Sequence, residues 1–259
     1  MIGSIVRSAP PVLNAHKRLS VLRNHLCVVC LSDGRNGPAK VAGAGEVATE
    51  ELDLTTKHSQ GPPRERLVHA AYDLFARDGV NQVGIDKILA KSGCAKASLY
   101  SNFKTKVELA IAFLDRREAV WTRGWLEAEI KRRSNNPEER LLAIFDVFDG
   151  WFRTKKFEGC SFINVLLESK VDSPVRQAAA IHLAKIRAMV CSLAEEANLR
   201  EPKKFAQAWH MLMKGSIVSA GEGNRNAARE AKCAARLILS GWKRAREARK
   251  PRAKRFSAR

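Results

Sequence analysis

The segment from residue 85 to residue 103 constrains the fold more than any other part of the chain. Ile85, Ile88 and Leu89 recur at helical spacing, which gives the start of the segment one apolar face. Gly93 follows, and glycine readily adopts the positive φ that a tight turn between two helices needs. The segment therefore predicts two short helices joined at Gly93, which is the layout of a helix-turn-helix.

The second short helix combines an apolar anchor with a polar, solvent-facing side. Leu99 and Phe103 are expected to point inward. A short helix with small, polar and basic groups on one face fits the major groove of DNA, where base edges and phosphates both lie within reach. We therefore predict that this face binds double-stranded DNA. The candidate contact residues are Lys96, Ala97, Ser98, Tyr100, Ser101 and Asn102, together with Lys106 in the first turn of the next helix.

Individual roles follow from side-chain chemistry. Lys96 is expected to meet a phosphate or a guanine edge rather than stand as a solvated charge, and Asn102 can pair bidentately with adenine. Lys106 and the backbone N–H groups around it can together hold a phosphate. The Tyr100 hydroxyl can reach a phosphate, and the alternative is that its ring packs against the first helix.

The charge of the chain favours a polyanionic partner. The formal net charge is +19 over 259 residues. Residues 243–259 contain nine Lys or Arg and a single Glu, so +8 of the excess lies in this tail. Such a tail attracts phosphate without being ordered, although a solvated, disordered end has the same composition.

Cysteine usage and hydropathy point to a protein of the reducing cytoplasm. The six cysteines are scattered, and Cys27 and Cys30 form a lone CxxC without a second ligand pair. We therefore predict no metal and no cofactor. No apolar run approaches the roughly 18 residues of a membrane span, and the run from Leu26 to Leu31 is too short for a secretory signal. The expected location is the cytoplasm, without a membrane partner.

The chain divides into four parts. Residues 1–62 are expected to be a mostly disordered extension, and residues 63–108 a helix-turn-helix DNA-binding domain. Residues 109–242 are helical in period throughout, and residues 243–259 form the basic, disordered tail. Because no segment reads as a strand, we predict an all-α fold. It consists of an N-terminal three-helix head with the helix-turn-helix and a larger helical body.

The run from Arg64 to Leu109 resembles the TetR/AcrR family of transcriptional regulators. Three positions depart from the family pattern, and one of them is Ala97 in place of a common Gly. Gly84 stands where the family usually has Thr or Ser, and Ala95 where it often has Ser, so both helix starts are expected to be weakly capped. The residues that carry the resemblance are Ala70, Ala71, Leu74, Phe75, Gly79, Ile85, Ile88, Ala90, Gly93, Leu99, Tyr100, Phe103, Lys106, Glu108 and Leu109.

This resemblance implies a body with an internal ligand pocket. Residues 159–164, followed by Glu168, also resemble a segment common in one branch of the family. The ligand would be a small apolar or aromatic effector, oriented by Asn164, Glu168 or His182, although each aromatic residue can equally be part of the core. Cys160 is either a sensor thiol or a buried packing residue. The candidate pocket residues are Trp121, Trp125, Phe148, Phe152, Cys160, Phe162, Asn164 and His182.

The resemblance also implies a homodimer formed by the last two helices. These helices carry small residues, which allow close approach between helices, whether across a two-fold axis or within one subunit. The candidate interface residues are Trp209, Ser216, Ala220, Ala231, Ala235 and Ile238.

Together these features predict a ligand-responsive repressor that binds a palindromic operator as a dimer. A basic, non-specific DNA-binding or scaffold protein is the main alternative. A helical enzyme is a weaker one, because the sequence contains no nucleophile–base pair, metal spacing or phosphate loop, and no catalytic residue is assigned.

Overall fold

The computed structural model describes residues 61–155, 157–242 and 244. The predicted extension (except its last two residues), Cys27 and Cys30, and the basic tail (except Arg244) lie outside the described residues. Within the described part every element is a helix, and one isolated antiparallel bridge joins Leu199 to Arg244. The all-α prediction is confirmed.

Three short helices and the start of a fourth form the head. They are α1 (Pro63–Asp78), α2 (Ile85–Ser92), α3 (Lys96–Asn102) and α4 (Lys106–Arg117). Helix α1 packs against α2, α3 and α4, so it is the common support of the helix-turn-helix. The head core is fully apolar, and each large side chain buried there contributes roughly 1.5–3 kcal/mol. Its main members are Leu67, Ala71, Ile88, Leu99, Phe103, Leu109 and Phe113.

The spacing of Leu109, Phe113, Val120 and Trp121 predicts one long helix to about Lys131. Helix α4 instead does not continue as a regular α-helix, so this prediction is wrong. A π-helical segment (Glu118–Glu127) follows α4 and leads into α5 (Ala128–Arg133). The 3.6-residue pattern of apolar side chains does not reveal this change of helix type, because π turns add residues without changing composition. The segment carries Trp121 and Trp125, whose ring centroids lie 5.3 Å apart.

Five further helices complete the body. They are α6 (Pro137–Phe152), α7 (Ser161–Glu168), α8 (Pro174–Glu196), α9 (Pro202–Gly221) and α10 (Ala227–Gly241). Side-chain caps start two of them. The Asn136 side chain accepts from the backbone N–H groups of Glu138 and Glu139, and the Ser173 hydroxyl accepts from that of Arg176.

Helix α6 lies at the centre of the body, in contact with α5, α8, α9 and α10. Phe145 on α6 packs against Trp209 on α9, with ring centroids 5.6 Å apart. Asp146 on α6 accepts from the Lys232 ammonium group of α10 at 2.6 Å. Apolar packing and this ion pair therefore fix the last helices on the body.

Candidate DNA interface and ligand pocket

The turn between α2 and α3 is built from a left-handed glycine and a buried hydrogen-bond network. Gly93 has φ +62°, and its N–H donates to the Leu89 carbonyl at 2.9 Å. The Ser92 hydroxyl donates to the same carbonyl at 3.2 Å and accepts from the Cys94 N–H at 3.3 Å. A residue with a Cβ is strained at this φ, so Gly93 sets the angle between the two helices.

Helix α3 has one buried face and one exposed face. Leu99 and Phe103 are buried, as predicted, while Tyr100 is 49% exposed. Neither Gly84 nor Ala95 makes a side-chain hydrogen bond to the helix that it precedes, which agrees with the expected weak capping. Lys96, Ala97, Ser101 and Asn102 are exposed, Ser98 and Lys106 are half-buried, and their contacts with DNA remain predictions.

The polar side chains at the end of α3 are already hydrogen-bonded within the helix. The Asn102 amide nitrogen donates to the Ser98 carbonyl at 2.8 Å, and the Ser101 hydroxyl donates to the same carbonyl at 3.0 Å. Bidentate pairing of Asn102 with adenine needs one amide N–H and the amide oxygen, so one of its two N–H donors has to face the base.

The start of α4, which follows α3, is well capped. The Thr105 hydroxyl accepts from the Glu108 N–H at 3.2 Å, and the Glu108 carboxylate accepts from the Lys104 N–H at 2.9 Å. Burial lowers the pKa of Lys106, while attraction to Glu168 on α7 acts against that shift. Lys106 thus lies between the proposed phosphate site and the body.

Glu168 joins the body to the head. Its carboxylate accepts from the Val80 N–H at 2.9 Å, and its carbonyl accepts from the Asn81 side-chain amide at 2.8 Å. Gly79 has φ +82°, and a Cβ there would come within 3.0 Å of the Glu168 carboxylate. The turn after α1 is therefore shaped around this side chain. Sequence reasoning placed Glu168 near the ligand, whereas the structure places it against the head.

A small cavity lies in the body between the π segment and helices α6 to α9. Its free volume is about 10 Å³, roughly one water molecule. Drug-sized ligands need about 300–1,000 Å³, so the cavity is closed in this conformation. Its walls are formed by Trp121, Phe148, Cys160, Ile163, Leu183, Ile186, His210, Met213, Lys214 and Ile217.

Three of the eight predicted pocket residues, Trp121, Phe148 and Cys160, line this cavity. Trp125 packs on Trp121, and Phe152 packs on Phe148 with ring centroids 5.5 Å apart. Trp125 and Phe152 therefore pack against residues of the cavity wall but do not line the cavity themselves.

Asn164 does not line this cavity, since its side chain is exposed and donates to the Glu158 carbonyl at 3.3 Å. Phe162 and His182 also lie off the cavity wall and stack on each other with ring centroids 5.1 Å apart. The Nε2 atom of His182 lies 3.2 Å from Asp115. Burial and the nearby Lys185 lower the pKa of His182.

The Cys160 thiol is buried, and its burial raises the pKa of the thiol. Because the thiolate is the reactive form, this environment suits a packing residue.

His210 and Lys214 were missed by sequence reasoning. They lie one helical turn apart on α9 and both line the cavity. The available signal was their i, i+4 spacing, which puts both side chains on one face of α9 but does not say what that face contacts.

Four of the six candidate interface residues are buried in the single subunit, and the interface stays a prediction. Trp209, Ser216, Ala231 and Ala235 are buried within one subunit, where Trp209 stacks on Phe205 with ring centroids 5.0 Å apart. Ala220 and Ile238 are half-buried. The exposed apolar side chains on α9 and α10 are Met211, Val218 and Leu237.

Two further observations concern function classes. Among the described residues, no three His, Cys, Asp or Glu side chains are grouped so that they could hold a metal ion. No helix of the same part of the chain combines the length and apolarity that crossing a membrane requires.

The head, together with the body that Glu168 joins to it, defines a helix-turn-helix protein with a helical body. The sequence model of the family "Bacterial regulatory proteins, tetR family" matches residues 67–113, which contain the whole helix-turn-helix. Residues 67–113 are thus a DNA-binding domain of the TetR type, as the resemblance predicted.

Named relatives match part of the chain. The chain is 31% identical over 72 residues to the HTH-type transcriptional regulator QacR of Staphylococcus aureus, which covers 28% of this chain and 38% of the relative. It is 32% identical over 85 residues to the HTH-type transcriptional activator FasR of Mycolicibacterium smegmatis, covering 33% and 38%. The matches thus span less than two thirds of the length of these relatives.

Solved structures match most of the described chain. A TetR-type transcriptional regulator from Streptomyces avermitilis superposes with a TM-score of 0.63 at 27% identity, covering 70% of this chain and 97% of that one. A TetR-family regulator from Streptomyces coelicolor, with a TM-score of 0.61 and 22% identity, covers 71% and 97% and shares the fold. The likeness extends beyond the head to the body.

Proposed function

We propose that this protein is a sequence-specific DNA-binding transcriptional regulator. The observation that carries the proposal is α3, a short helix with a buried anchor and an exposed polar face. Residues 63–108 would form the DNA-binding domain, and residues 109–242 the ligand-binding and dimerisation domain. Base readout would come from Lys96, Ala97, Ser98, Ser101 and Asn102, and phosphate contacts from Tyr100 and Lys106.

The protein would act as a homodimer. A two-fold axis would bring two α3 helices into successive major grooves about 34 Å apart, so the operator would be an imperfect palindrome. The exposed Met211, Val218 and Leu237 on α9 and α10 support an apolar contact surface on the last two helices. The half-buried Ala220 and Ile238 would border it.

We further propose that a ligand in the cavity controls DNA affinity. The cavity is closed, so a ligand must favour a conformation in which its walls have moved apart. In the cavity wall, Cys160 directly precedes α7 and Ile163 lies in its first turn. Glu168, at the other end of α7, holds the turn after α1. Movement of α7 would thereby change the position of the head. Such coupling is typically about 1–3 kcal/mol.

Repression is the output that we propose, because a ligand that displaces the head would release DNA. One relative carries the name of an activator, so activation is the other outcome that a reporter assay would distinguish. The cytoplasm remains the expected location.

Lys106→Ala tests the proposed phosphate contact. We expect weaker binding to every duplex and a log–log salt dependence that is flatter by about one unit, because one phosphate contact is lost. Binding would be measured by fluorescence anisotropy over a range of salt concentrations. Lys131→Ala, an exposed lysine on α5, is the matched control and should leave the slope unchanged. An unchanged slope in Lys106→Ala would remove this residue from the interface.

A further inference from the structure

His210 and Lys214 place two nitrogen-bearing side chains on the wall of an otherwise apolar cavity. His210 is only 3% exposed, and neither of its ring nitrogens makes a hydrogen bond within the described part of the chain. A ligand that offers a hydrogen-bond acceptor to this ring would therefore gain a contact that the protein itself does not supply. His210 therefore has the properties of a ligand-binding group.

The charge around His210 has one sign. Lys214 and Arg187 are the charged residues that act on it, and both are cations. Neither Lys214 nor Arg187 forms an ion pair with any residue that the structure describes. Lys214 is half-buried, and buried lysines are normally paired with an acid. The cavity wall thus presents a cation without its counterion.

The rest of the wall is suited to an apolar body. Trp121 and Phe148 provide aromatic faces, with ring centroids 6.3 Å apart, and Ile163 and Ile217 provide aliphatic surface. Apolar walls with a few polar groups at one side are typical of sites that bind and orient small molecules.

We propose that the effector of this cavity is an organic monocarboxylate, with its apolar body against Trp121 and Phe148 and its carboxylate against Lys214 and His210. The ammonium group of Lys214 supplies the charge, and a neutral His210 donates a hydrogen bond to the carboxylate. This inference rests on the proposed function, because it names the chemistry of the ligand that the regulator answers to.

A panel of matched probes tests the proposal on the full chain. Benzoate, 2-naphthoate and decanoate are each compared with their methyl ester and with the primary amine of the same carbon skeleton. Binding is followed by calorimetry and by tryptophan fluorescence, to which Trp121 in the wall should respond. We expect at least one acid to bind at least tenfold more tightly than its ester and its amine.

Lys214→Met keeps most of the apolar stem and removes the charge. It should abolish the preference for the acid while leaving the affinity for the ester within about twofold. Lys203→Met, at an exposed lysine on the same helix, is the matched control and should keep the preference. The proposal is overturned if an ester or amine binds as tightly as the acid, if the acid preference survives Lys214→Met, or if no acid binds at millimolar concentration.

Binding to DNA is measured on the same samples, so that the two proposals can fail separately. Loss of acid binding with sequence-specific DNA binding intact overturns only the ligand chemistry. Acid binding through Lys214 without any sequence-specific DNA binding supports the ligand chemistry and contradicts the proposed function.

Discussion

His210 lies in an environment that keeps its imidazole neutral. Burial, helped by Lys214 and Arg187, lowers the pKa of His210 from 6.5 to about 4. In the unfolded chain the same residue takes up a proton near pH 6.5. The folded state therefore binds fewer protons between these two values, and protonation favours unfolding.

The free energy of unfolding should fall as the pH drops from about 6.5 to about 4, and this single residue should account for about 3 kcal/mol of the loss. Urea denaturation of the wild type and of His210→Gln over this range isolates the effect, because the acid-sensitive groups other than His210 are common to both. Lys214→Met should show a smaller loss than the wild type, since one of the two cations is gone. If the free energy of unfolding has the same pH dependence in the wild type and in His210→Gln, then His210 is not buried as a neutral base.

At the scale of elements, α7 connects the cavity to the head. Its first turn carries Ile163 in the cavity wall, and its last residue, Glu168, accepts from the backbone of Val80. Arg176 on α8 donates to the carbonyls of Leu166 and Ser169, which fixes the same end of the helix. A short helix that begins at the cavity and ends against the head would transmit a displacement from one to the other.

Glu168→Ala should loosen the turn after α1 without unfolding the head. The amides of Val80 and Asn81 should exchange with solvent at least tenfold faster, because their acceptor is lost, while amides in α9 should be unaffected. Hydrogen exchange followed by mass spectrometry or NMR reads this directly. Glu222→Ala, at an exposed position with no such acceptor role, provides the comparison. Equal exchange in both variants would mean that Glu168 does not hold the head.

The helices were predictable from the sequence because their apolar residues recur at 3.6-residue spacing and their ends carry clear signals, such as Gly79, Gly93 and Pro174. The π-helical segment was not, since its composition is that of a helix. The role of Glu168 and the burial of Trp209 could not be predicted from the sequence either, because both depend on contacts between residues 50 or more positions apart.

At the scale of the whole molecule, the exposed apolar residues of α9 and α10 provide the proposed dimer surface. Val218 is 50% exposed and Leu237 is 67% exposed, although both are apolar. Because a two-fold interface repeats each contact, one unfavourable charge enters it twice.

Val218→Arg should raise the dimer dissociation constant at least tenfold, because it buries two like charges on an apolar surface. Sedimentation equilibrium over a range of concentrations measures this constant. Ile181→Arg, on the exposed side of α8, is the matched control and should leave the association unchanged. If Val218→Arg assembles as the wild type does, the partner surface lies elsewhere.

The central claim is that α3 reads a specific DNA sequence. Its most direct test is selection of bound duplexes from a random library by the full chain at about 150 mM salt, where non-specific phosphate attraction is reduced. Lys96→Ala/Tyr100→Ala is selected in parallel. We predict an enriched, imperfectly palindromic motif that the double variant no longer recovers. A wild type that enriches no motif, and that binds no better than the double variant, would contradict the claim and support a non-specific DNA-binding or scaffold protein instead.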